Sequence, residues 1–321
     1  MSCTILLPKD IRNKGKQYLL DRGYHLKIGR GRTEEDILAD IADCEGLLVC
    51  NDPITAKILR HANRLKVIGR HGIGLDNIDI DTANQLGIAV TNAPFANVNS
   101  VAEHTIALML ACVKHLIIMD RNLHMGNYEC RSQLLGCDLS GKTLGLIGFG
   151  RIGQSVGKKA AALGMHIIAC DPFFPKDQAP SNVRLLPSWD DVFSKSDIIS
   201  LHLPATKETR RSIGMEQFKK MKTAGWLINT SRGSILREDE LYQALEQGVL
   251  AGAGLDVFET EPPSPDNPLF SSDKVIITPH SAAMTEEAMD QMGIEAAMGI
   301  DDVLSGRKPA WLVNSPVHSI Q

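Results

Sequence analysis

The sequence predicts an α/β protein built from two doubly wound parallel sheets. The chain has 321 residues, which is more than one domain of ordinary size usually contains. Short apolar or β-branched runs alternate with amphipathic helical patterns in two series, and one long helical pattern separates these series. Such alternation is typical of parallel sheets that are covered by helices on both faces.

The first series begins with the run TILL, which predicts a strand, and continues with an amphipathic helix over residues 11–22 that Gly23 ends. A second strand, HLKI, precedes a helix over residues 34–42. The strand GLLVC, a helix over residues 55–62 and the strands LKVIG and IAVTN follow. Five strands in this order predict one parallel sheet.

A long helix is predicted over residues 98–124. Part of it, VAEHTIALMLACVKHLIIM, has about the length of a membrane span, but its glutamate, lysine and two histidines favour a buried helix. The second series then contains the strands KTLGLIGFG, HIIACD, DIISLHL, WLINTS, GAGLDVF and VIITPH. A final helix and a proline-containing tail occupy residues 285–321, and periodicity leaves open on which sheet this helix packs.

Composition excludes several classes of partner. The formal net charge is −4, so no strong basic field is available to hold nucleic acid or an anionic membrane. The seven cysteines form no C-x-x-C pair and no Cys/His group with metal-ligand spacing, so no metal is expected. Scattered thiols and an N-terminus, MSCTILLPKD, that lacks the apolar run of a signal peptide predict a cytoplasmic protein.

The segment LGLIGFGRIGQSVGKKAAALGMHIIACD has the pattern of a dinucleotide-binding Rossmann unit. Gly148, Gly150 and Gly153 follow a predicted strand and open a helix, and Asp171 ends the next strand. These glycines permit a tight turn, close approach of a pyrophosphate and close helix–strand packing. Asp171 can bind a ribose 2′-hydroxyl and would repel a 2′-phosphate, which favours NAD over NADP. The alternative is a glycine-rich turn that binds nothing.

Charged side chains follow the last three predicted strands. Arg232 follows WLINTS, Glu259 and Glu261 follow GAGLDVF, and His280 follows VIITP. Singly, they could be a surface ion pair, solvated acids and a capping histidine. Ligands of open α/β sheets bind outside the carboxyl ends of the strands. Three such groups at successive strand ends, after a dinucleotide fingerprint, therefore indicate a site that transfers a hydride and a proton.

These segments resemble the D-isomer-specific 2-hydroxyacid dehydrogenase family, which includes phosphoglycerate, glycerate, D-lactate and formate dehydrogenases. The similarity rests on GRHGIGLDNID, GKTLGLIGFGRIG, LINTSRG, GAGLDVFETEPP and VIITPHSAA. The segments stand in the family's order and cover nearly the whole chain. The resemblance implies an NAD-dependent oxidoreductase that interconverts a D-2-hydroxy acid and its 2-keto acid.

The resemblance also implies roles for the three charged side chains. Arg232 would bind the substrate carboxylate and polarise the reacting oxygen, because a planar guanidinium can hold two oxygens at once. His280 would be the general base in oxidation and the general acid in reduction. Glu261 would bind the other imidazole nitrogen and fix its tautomer.

Further positions follow from the same resemblance. Arg151 and Ile152 would contact the pyrophosphate, and Thr230 and Asp256 would lie at the nicotinamide end. Asp256 could otherwise be a cap on an apolar strand. The loop GRHGIG, which from its residues alone is a glycine-rich turn after a strand, would offer backbone N–H groups to the substrate carboxylate. Its substrate-binding residues would be Arg70, His71, Gly72, Ile73 and Gly74.

The implied architecture is discontinuous. Residues 1–97 and 285–321 would form a flavodoxin-like substrate domain, and residues 98–284 a Rossmann NAD domain. The active-site cleft would lie between the two domains, and closure on the substrate would exclude water. A homodimer through the helix region of residues 98–124 is implied as well.

The substrate itself stays open. Formate dehydrogenases of the family carry glutamine at the position of Glu261, which argues against formate. Phosphoglycerate enzymes commonly carry an arginine at the position of Cys50, and Arg70 is the one obvious substitute cation nearby. The hypothesis that phosphoglycerate is the substrate is therefore weakened. Glyoxylate, hydroxypyruvate or a short aliphatic 2-keto acid fits the sequence at least as well. An NAD(H)-sensing corepressor and a phosphite-type dehydrogenase on the same scaffold are the alternative functions.

Overall fold

The computed structural model describes residues 3–316. The chain forms two compact α/β units, Met1–Asn97 with Met284–Gln321 and Val98–Ala283. The first two residues and the last five, which the sequence prediction assigned to the first domain, lie outside the described residues. The first unit is thus formed from both ends of the chain.

The first unit contains a five-stranded sheet in the order β2-β1-β3-β4-β5, in which every pairing is parallel. Its strands are β1 Thr4–Leu7, β2 His25–Ile28, β3 Gly46–Val49, β4 Val67–Arg70 and β5 Ala89–Thr91. Its helices are α1 Asn13–Leu20, α2 Glu34–Ile41, α3 Ala56–His61, α4 Ile80–Gln85 and the chain's last helix, α12 Glu286–Leu304.

Alternate residues of these strands enter two separate cores. Leu6 and Ile68 belong to one hydrophobic cluster, and their neighbours Ile5 and Val67 belong to another. Helix α12 packs on the second of these faces, since a Cβ atom on Gly69 of β4 would lie 2.7 Å from the Ala296 carbonyl oxygen. The last helix therefore covers the first sheet, a question that periodicity had left open.

The second unit contains a seven-stranded sheet in the order β12-β11-β10-β9-β6-β7-β8, again with parallel pairings only. Its strands are β6 Thr143–Ile147, β7 His166–Cys170, β8 Val183–Leu185, β9 Ile198–Leu201, β10 Gly225–Asn229, β11 Leu250–Leu255 and β12 Val275–Ile277. Its helices are α5 Val98–Val113, α6 Leu116–His124, α7 Cys130–Gln133, α8 Arg151–Ala162, α9 Trp189–Lys195, α10 Met215–Phe218 and α11 Glu238–Glu246. The predicted fold class, two doubly wound parallel sheets, is confirmed.

The prediction of a single long helix over residues 98–124 is wrong, because the structure has two helices, α5 and α6, with a 59° bend between them. His115 adopts a left-handed backbone (φ 54°), and its ring packs edge-on against Trp226 at 5.7 Å. The Val113 carbonyl accepts a hydrogen bond from Cys137 N at 2.9 Å instead of continuing the helix. No single described helix is long and apolar enough to cross a membrane, and the bent pair passes that test by length and composition only.

Candidate active site

The junction of β6 and α8 has a geometry that requires two of the three motif glycines, Gly148 in the loop and Gly153 in the first turn of the helix. Gly148 has φ 93°, and a Cβ atom on it would lie 2.5 Å from the His202 carbonyl oxygen. A Cβ atom on Gly153 would lie 2.5 Å from the Gly148 carbonyl oxygen. At Gly150 a Cβ atom would meet no described atom within 4 Å, so the backbone there is open to a ligand. This arrangement fits close approach of a phosphate group at Gly150.

The residues around this loop match what a dinucleotide needs. Arg151 and Ile152 are the first two residues of α8, whose N-cap Gly150 supplies no side-chain cap. Asp171 follows β7, and its two carboxylate oxygens accept hydrogen bonds from Phe149 N at 2.8 Å and Phe173 N at 2.9 Å. Each oxygen keeps a further lone pair that could accept a ribose hydroxyl.

Arg232 lies in a tight turn at the carboxyl end of β10. The Asn229 side chain holds this turn, because its Oδ1 accepts from Ser231 N at 3.0 Å and its Nδ2 donates to the Arg232 carbonyl at 3.0 Å. Arg232 Nη1 donates to the Ser231 carbonyl at 2.7 Å. A Cβ atom on Gly233 would overlap the Phe258 backbone, so this turn packs directly against the loop that follows β11.

Glu261, in that loop, forms a hydrogen-bonded pair with His280, which follows β12. The distance from His280 Nδ1 to Glu261 Oε2 is 2.7 Å, and both side chains are about one-third exposed. Burial acts to raise the pKa of Glu261, but the hydrogen bond from His280, its charge, the Phe258 N–H and the charge of Arg232 together hold that pKa below its usual value. Glu261 is therefore a carboxylate at neutral pH, so Nδ1 carries the proton of this bond.

The pair borders an apolar cavity of about 400 Å³. Besides the pair, the cavity is lined mainly by apolar side chains: Phe258, Pro262, Pro263, Phe270, Ile277 and Pro279. An apolar surround lowers the local dielectric constant and strengthens charge interactions at the imidazole.

Asp256 anchors the segment that carries His280. Its carboxylate is buried, with Oδ1 accepting from Thr278 Oγ1 at 2.5 Å and Ser281 N at 2.8 Å, and Oδ2 accepting from Ala282 N at 2.9 Å. The Asp256 carbonyl also accepts from His280 N at 2.7 Å. Asp256 was predicted to lie at the nicotinamide end of the cofactor. Its carboxylate accepts hydrogen bonds from the protein itself, which agrees with the alternative interpretation that Asp256 caps a strand.

Helix α5 supports the same segment through His104, which the sequence analysis did not single out. Since Thr278 donates its hydroxyl proton to Asp256, it accepts a hydrogen bond from His104 Nε2, 3.0 Å away. The neighbouring Thr105 bonds the buried Thr230 hydroxyl at 2.8 Å. The run of three polar residues, Glu103, His104 and Thr105, within α5 was the available sequence signal for these contacts.

In the first unit, the predicted substrate loop follows β4, but two of its side chains are buried. Arg70 Nε donates to the Gly74 carbonyl at 2.9 Å, and its Nη2 donates to Asn51 Oδ1 at 2.6 Å. His71 Nε2 lies 3.2 Å from the Met289 carbonyl on α12. These side chains support the loop, and the Arg70 guanidinium, which is the one obvious substitute for a phosphate-binding arginine, already binds protein groups.

The backbone of this loop offers fewer donors than predicted. His71 N and Gly72 N already donate to the carbonyls of Val49 and Arg70. Within the described residues, no hydrogen bond engages the N–H groups of Ile73 and Gly74. Of the backbone N–H groups that the sequence predicted as donors to the substrate carboxylate, those of Ile73 and Gly74 are therefore the ones available.

Among residues 3–316, no group of three or more His, Cys, Asp or Glu side chains could hold a metal ion. A guanidinium, that of Arg232, and the carboxylate–imidazole pair of Glu261 and His280 lie at the carboxyl edge of the second sheet. They follow β10, β11 and β12, which are adjacent in the sheet. The arrangement can hold an anion and move one proton.

Comparison with known proteins gives concordant matches. The family model described as "D-isomer specific 2-hydroxyacid dehydrogenase, NAD binding domain" matches residues 106–282. A D-3-phosphoglycerate dehydrogenase of Archaeoglobus fulgidus is 41% identical over 97% of this chain, but the match spans only 59% of that relative. A hydroxypyruvate reductase of Thermotoga maritima is 43% identical over 89% of this chain and 94% of its own length.

A solved structure extends the similarity to the fold. The D-lactate dehydrogenase of Aquifex aeolicus, complexed with NAD and lactic acid, superposes with a TM-score of 0.84 at 32% sequence identity. The match covers 94% of this chain and 96% of that one.

Proposed function

The chain belongs to the D-isomer-specific 2-hydroxyacid dehydrogenase family, and from this premise we propose that it interconverts a D-2-hydroxy acid and its 2-keto acid with NAD. The observation that carries the proposal is the Glu261–His280 pair beside Arg232 at three adjacent strand ends. An acid–base group next to a cation is what reduction of a charged keto acid requires.

NAD supplies the hydride donor or acceptor when bound. Its phosphates would lie over Gly150 and the first turn of α8, where helix N–H groups and the helix dipole favour an anion. Asp171 would bind the adenosine ribose through a 2′-hydroxyl. The matching family model is that of an NAD-binding domain, and the Aquifex relative was solved in complex with NAD, which supports NAD as the cofactor.

The catalytic side chains would act in sequence during reduction. Arg232 holds the substrate carboxylate and draws electron density towards the carbonyl oxygen, so that negative charge develops close to a fixed cation. His280 then donates the Nε2 proton to that oxygen while Glu261 stabilises the imidazolium that precedes the transfer. The Ile73 and Gly74 N–H groups of the first unit remain candidate donors for a substrate carboxylate.

The reaction class is tested by following NADH absorbance with purified protein and a panel of 2-keto acids: glyoxylate, hydroxypyruvate, pyruvate and longer aliphatic acids. We expect oxidation of NADH with at least one of them, and an Arg232→Lys variant should lose most of this activity because an ammonium cannot grip two oxygens. If NADH binds but no keto acid is reduced, the proposal fails and a nucleotide-sensing role becomes the better account. The remaining alternative, a phosphite-type dehydrogenase, is tested by adding phosphite and NAD and measuring whether NADH is formed.

A homodimer is proposed on the exposed apolar surface around α6 and α7. The exposed apolar side chains there are Leu116, Ile117, Leu123, Met125, Tyr128 and Leu135. Helix α6 has no buried residue at all, and a group of exposed large apolar side chains often marks an interface. Sedimentation analysis of wild-type protein and of a Leu123→Glu variant should give a dimer and a monomer, and a monomeric wild type would contradict the proposal.

A further inference from the structure

Helix α5 lies directly against the sheet that carries Arg232, Glu261 and His280 at its carboxyl edge. A Cβ atom on Gly254 of β11 would lie 3.2 Å from a sulfur atom of α5 and 3.3 Å from Leu108 Cβ, so a side chain there would crowd the helix. His104 precedes Leu108 by one helical turn and therefore lies on the same face of α5. The helix is thus a fixed support on which a side chain can hold the neighbouring strand ends.

His104 makes a single hydrogen bond to that edge of the sheet. Its side chain is 24% exposed, and Nε2 lies 3.0 Å from Thr278 Oγ1. Within residues 3–316, Thr278 is the one hydrogen-bond partner of the His104 side chain. Asp256 Oδ1 is 3.6 Å from the same nitrogen, which exceeds hydrogen-bond distance. His104 therefore acts on this carboxylate through the threonine hydroxyl.

The hydroxyl of Thr278 joins this support to the segment that carries His280. It donates to Asp256 at 2.5 Å, and the same carboxylate accepts the N–H groups of Ser281 and Ala282 at 2.8 and 2.9 Å. The N–H of His280 donates to the backbone carbonyls of Asp256 and Thr278, at 2.7 and 3.1 Å. Three consecutive N–H groups, beginning with that of His280, are therefore held by the same two residues.

The backbone of His280 needs such support, because it is left-handed (φ 50°). This conformation is unfavourable for a residue with a side chain and persists where neighbouring contacts hold it. From this backbone, the side chain places Nδ1 2.7 Å from Glu261 Oε2. Within the described residues this is the one hydrogen bond of the imidazole. The length of this bond therefore depends on how firmly the backbone at His280 is held.

We propose that His104 is a positioning residue for proton transfer, which acts through the Thr278 hydroxyl to keep the imidazole of His280 paired with its carboxylate. The inference rests on the proposed function, in which that imidazole donates a proton to the keto oxygen. The groups expected to bind the substrate carboxylate and the cofactor phosphates, Arg232 and Gly150, follow other strands, β10 and β6. Loss of the His104 bond should therefore lower kcat and leave substrate and cofactor binding nearly unchanged.

The test compares two substitutions of His104. His104→Leu removes the donor and keeps an apolar side chain, whereas His104→Gln keeps a side-chain N–H that can reach the hydroxyl. With NADH and the 2-keto acid that the wild type reduces fastest, we expect His104→Leu to lower kcat roughly tenfold, the worth of one lost hydrogen bond in a polar network. KM and NADH affinity should change little, and His104→Gln should restore most of the loss. Wild-type kcat in His104→Leu, or an equal loss in both variants, would overturn the proposal.

A double-mutant cycle tests whether the effect passes through Thr278. Thr278→Val removes the hydroxyl and keeps the shape of the side chain, so adding His104→Leu to it should lower kcat no further. Additive losses would mean that His104 acts by another route and would overturn the proposal. His166→Leu is the matched control, because His166 is exposed and begins β7, at the amino edge of the same sheet. The control should keep wild-type kcat, and a loss equal to that of His104→Leu would also count against the proposal.

The pairing of His280 can be measured without turnover. NMR of protein with isotope-labelled histidine reports the tautomer of each neutral imidazole from its two ring-nitrogen shifts, and the His280 signals are identified by their absence from His280→Asn. We expect the Nδ1–H tautomer in the wild type and in His104→Gln, and a mixture in His104→Leu. Unchanged His280 signals in His104→Leu would overturn the proposal, whether or not a keto acid is reduced. If no keto acid is reduced but the expected tautomers are found, the proposed function fails and the positioning of His280 by His104 stands.

Discussion

The imidazole of His280 is the residue on which proton transfer depends in this account. Its backbone is left-handed (φ 50°), so His280→Asn is a suitable variant, because asparagine tolerates that conformation. We expect kcat to fall roughly 10²–10⁴-fold, the usual worth of a positioned acid–base group, with NADH affinity little changed. Stopped-flow turnover and NADH fluorescence titration measure the two quantities. Turnover close to that of the wild type would remove His280 from the mechanism.

The choice between NAD and NADP is expected to depend on a single residue, Asp171. Asp171→Asn removes one charge but keeps a side chain that can still accept a backbone N–H. We expect weaker NADH binding and improved use of NADPH, by roughly tenfold in their kcat/KM ratio, about 1.4 kcal/mol. An unchanged ratio would show that Asp171 does not face the cofactor ribose.

For single residues, the sequence predicted which side chains lie at strand ends, but it did not predict how deeply they are buried or what they contact. Arg232, Glu261 and His280 could be found because each follows a recognisable strand, and parallel strands end at one edge. The burial of Arg70 could not be predicted, because it depends on how its own loop folds back over the guanidinium.

At the junction of β6 and α8, one glycine is expected to matter for cofactor binding and another for folding. Gly150 has φ −70° and open space around it, so Gly150→Ala should fold with an unchanged melting temperature yet bind NADH at least about tenfold more weakly. Gly153→Ala should instead lose roughly 1–3 kcal/mol of stability through overpacking against Gly148. Thermal denaturation and NADH titration of both variants check this. Normal NADH binding by a folded Gly150→Ala protein would contradict the account.

Elements with a strong apolar period were predictable, and those shaped by distant contacts were not. Eleven of the twelve strands were found because each is a short apolar or β-branched run, including β2 and β12, which contain no buried residue. The edge strand β8, Val183–Leu185, was missed because it has three residues and an exposed arginine at its centre. At the bend between α5 and α6, the His115 ring packs against Trp226, which is more than a hundred residues away along the chain. Local periodicity does not encode such a contact.

At the scale of the whole molecule, buried His71 makes stability depend on pH. Burial, and then the charge of Arg70, lower its pKa to about 4. Between pH 6.5 and 4 the unfolded chain therefore binds a proton that the folded chain does not, so stability falls as pH falls through this range. From pH 7 to 5 we expect a loss of roughly 2 kcal/mol from this group.

Urea unfolding of wild-type protein and a His71→Gln variant at both pH values measures this contribution. Glutamine can still donate to the Met289 carbonyl but does not titrate, so the variant should lose less stability between pH 7 and 5. Identical losses in the two proteins would assign the pH dependence to other groups.

The central claim is that the whole protein reduces a 2-keto acid to a hydroxy acid of D configuration with NADH. Its most direct test is to incubate the purified protein with NADH and hydroxypyruvate and to determine the configuration of the product by chiral chromatography. The account predicts D-glycerate alone, formed in equal amount to the NADH consumed. L-glycerate, a racemic product or no product would contradict it.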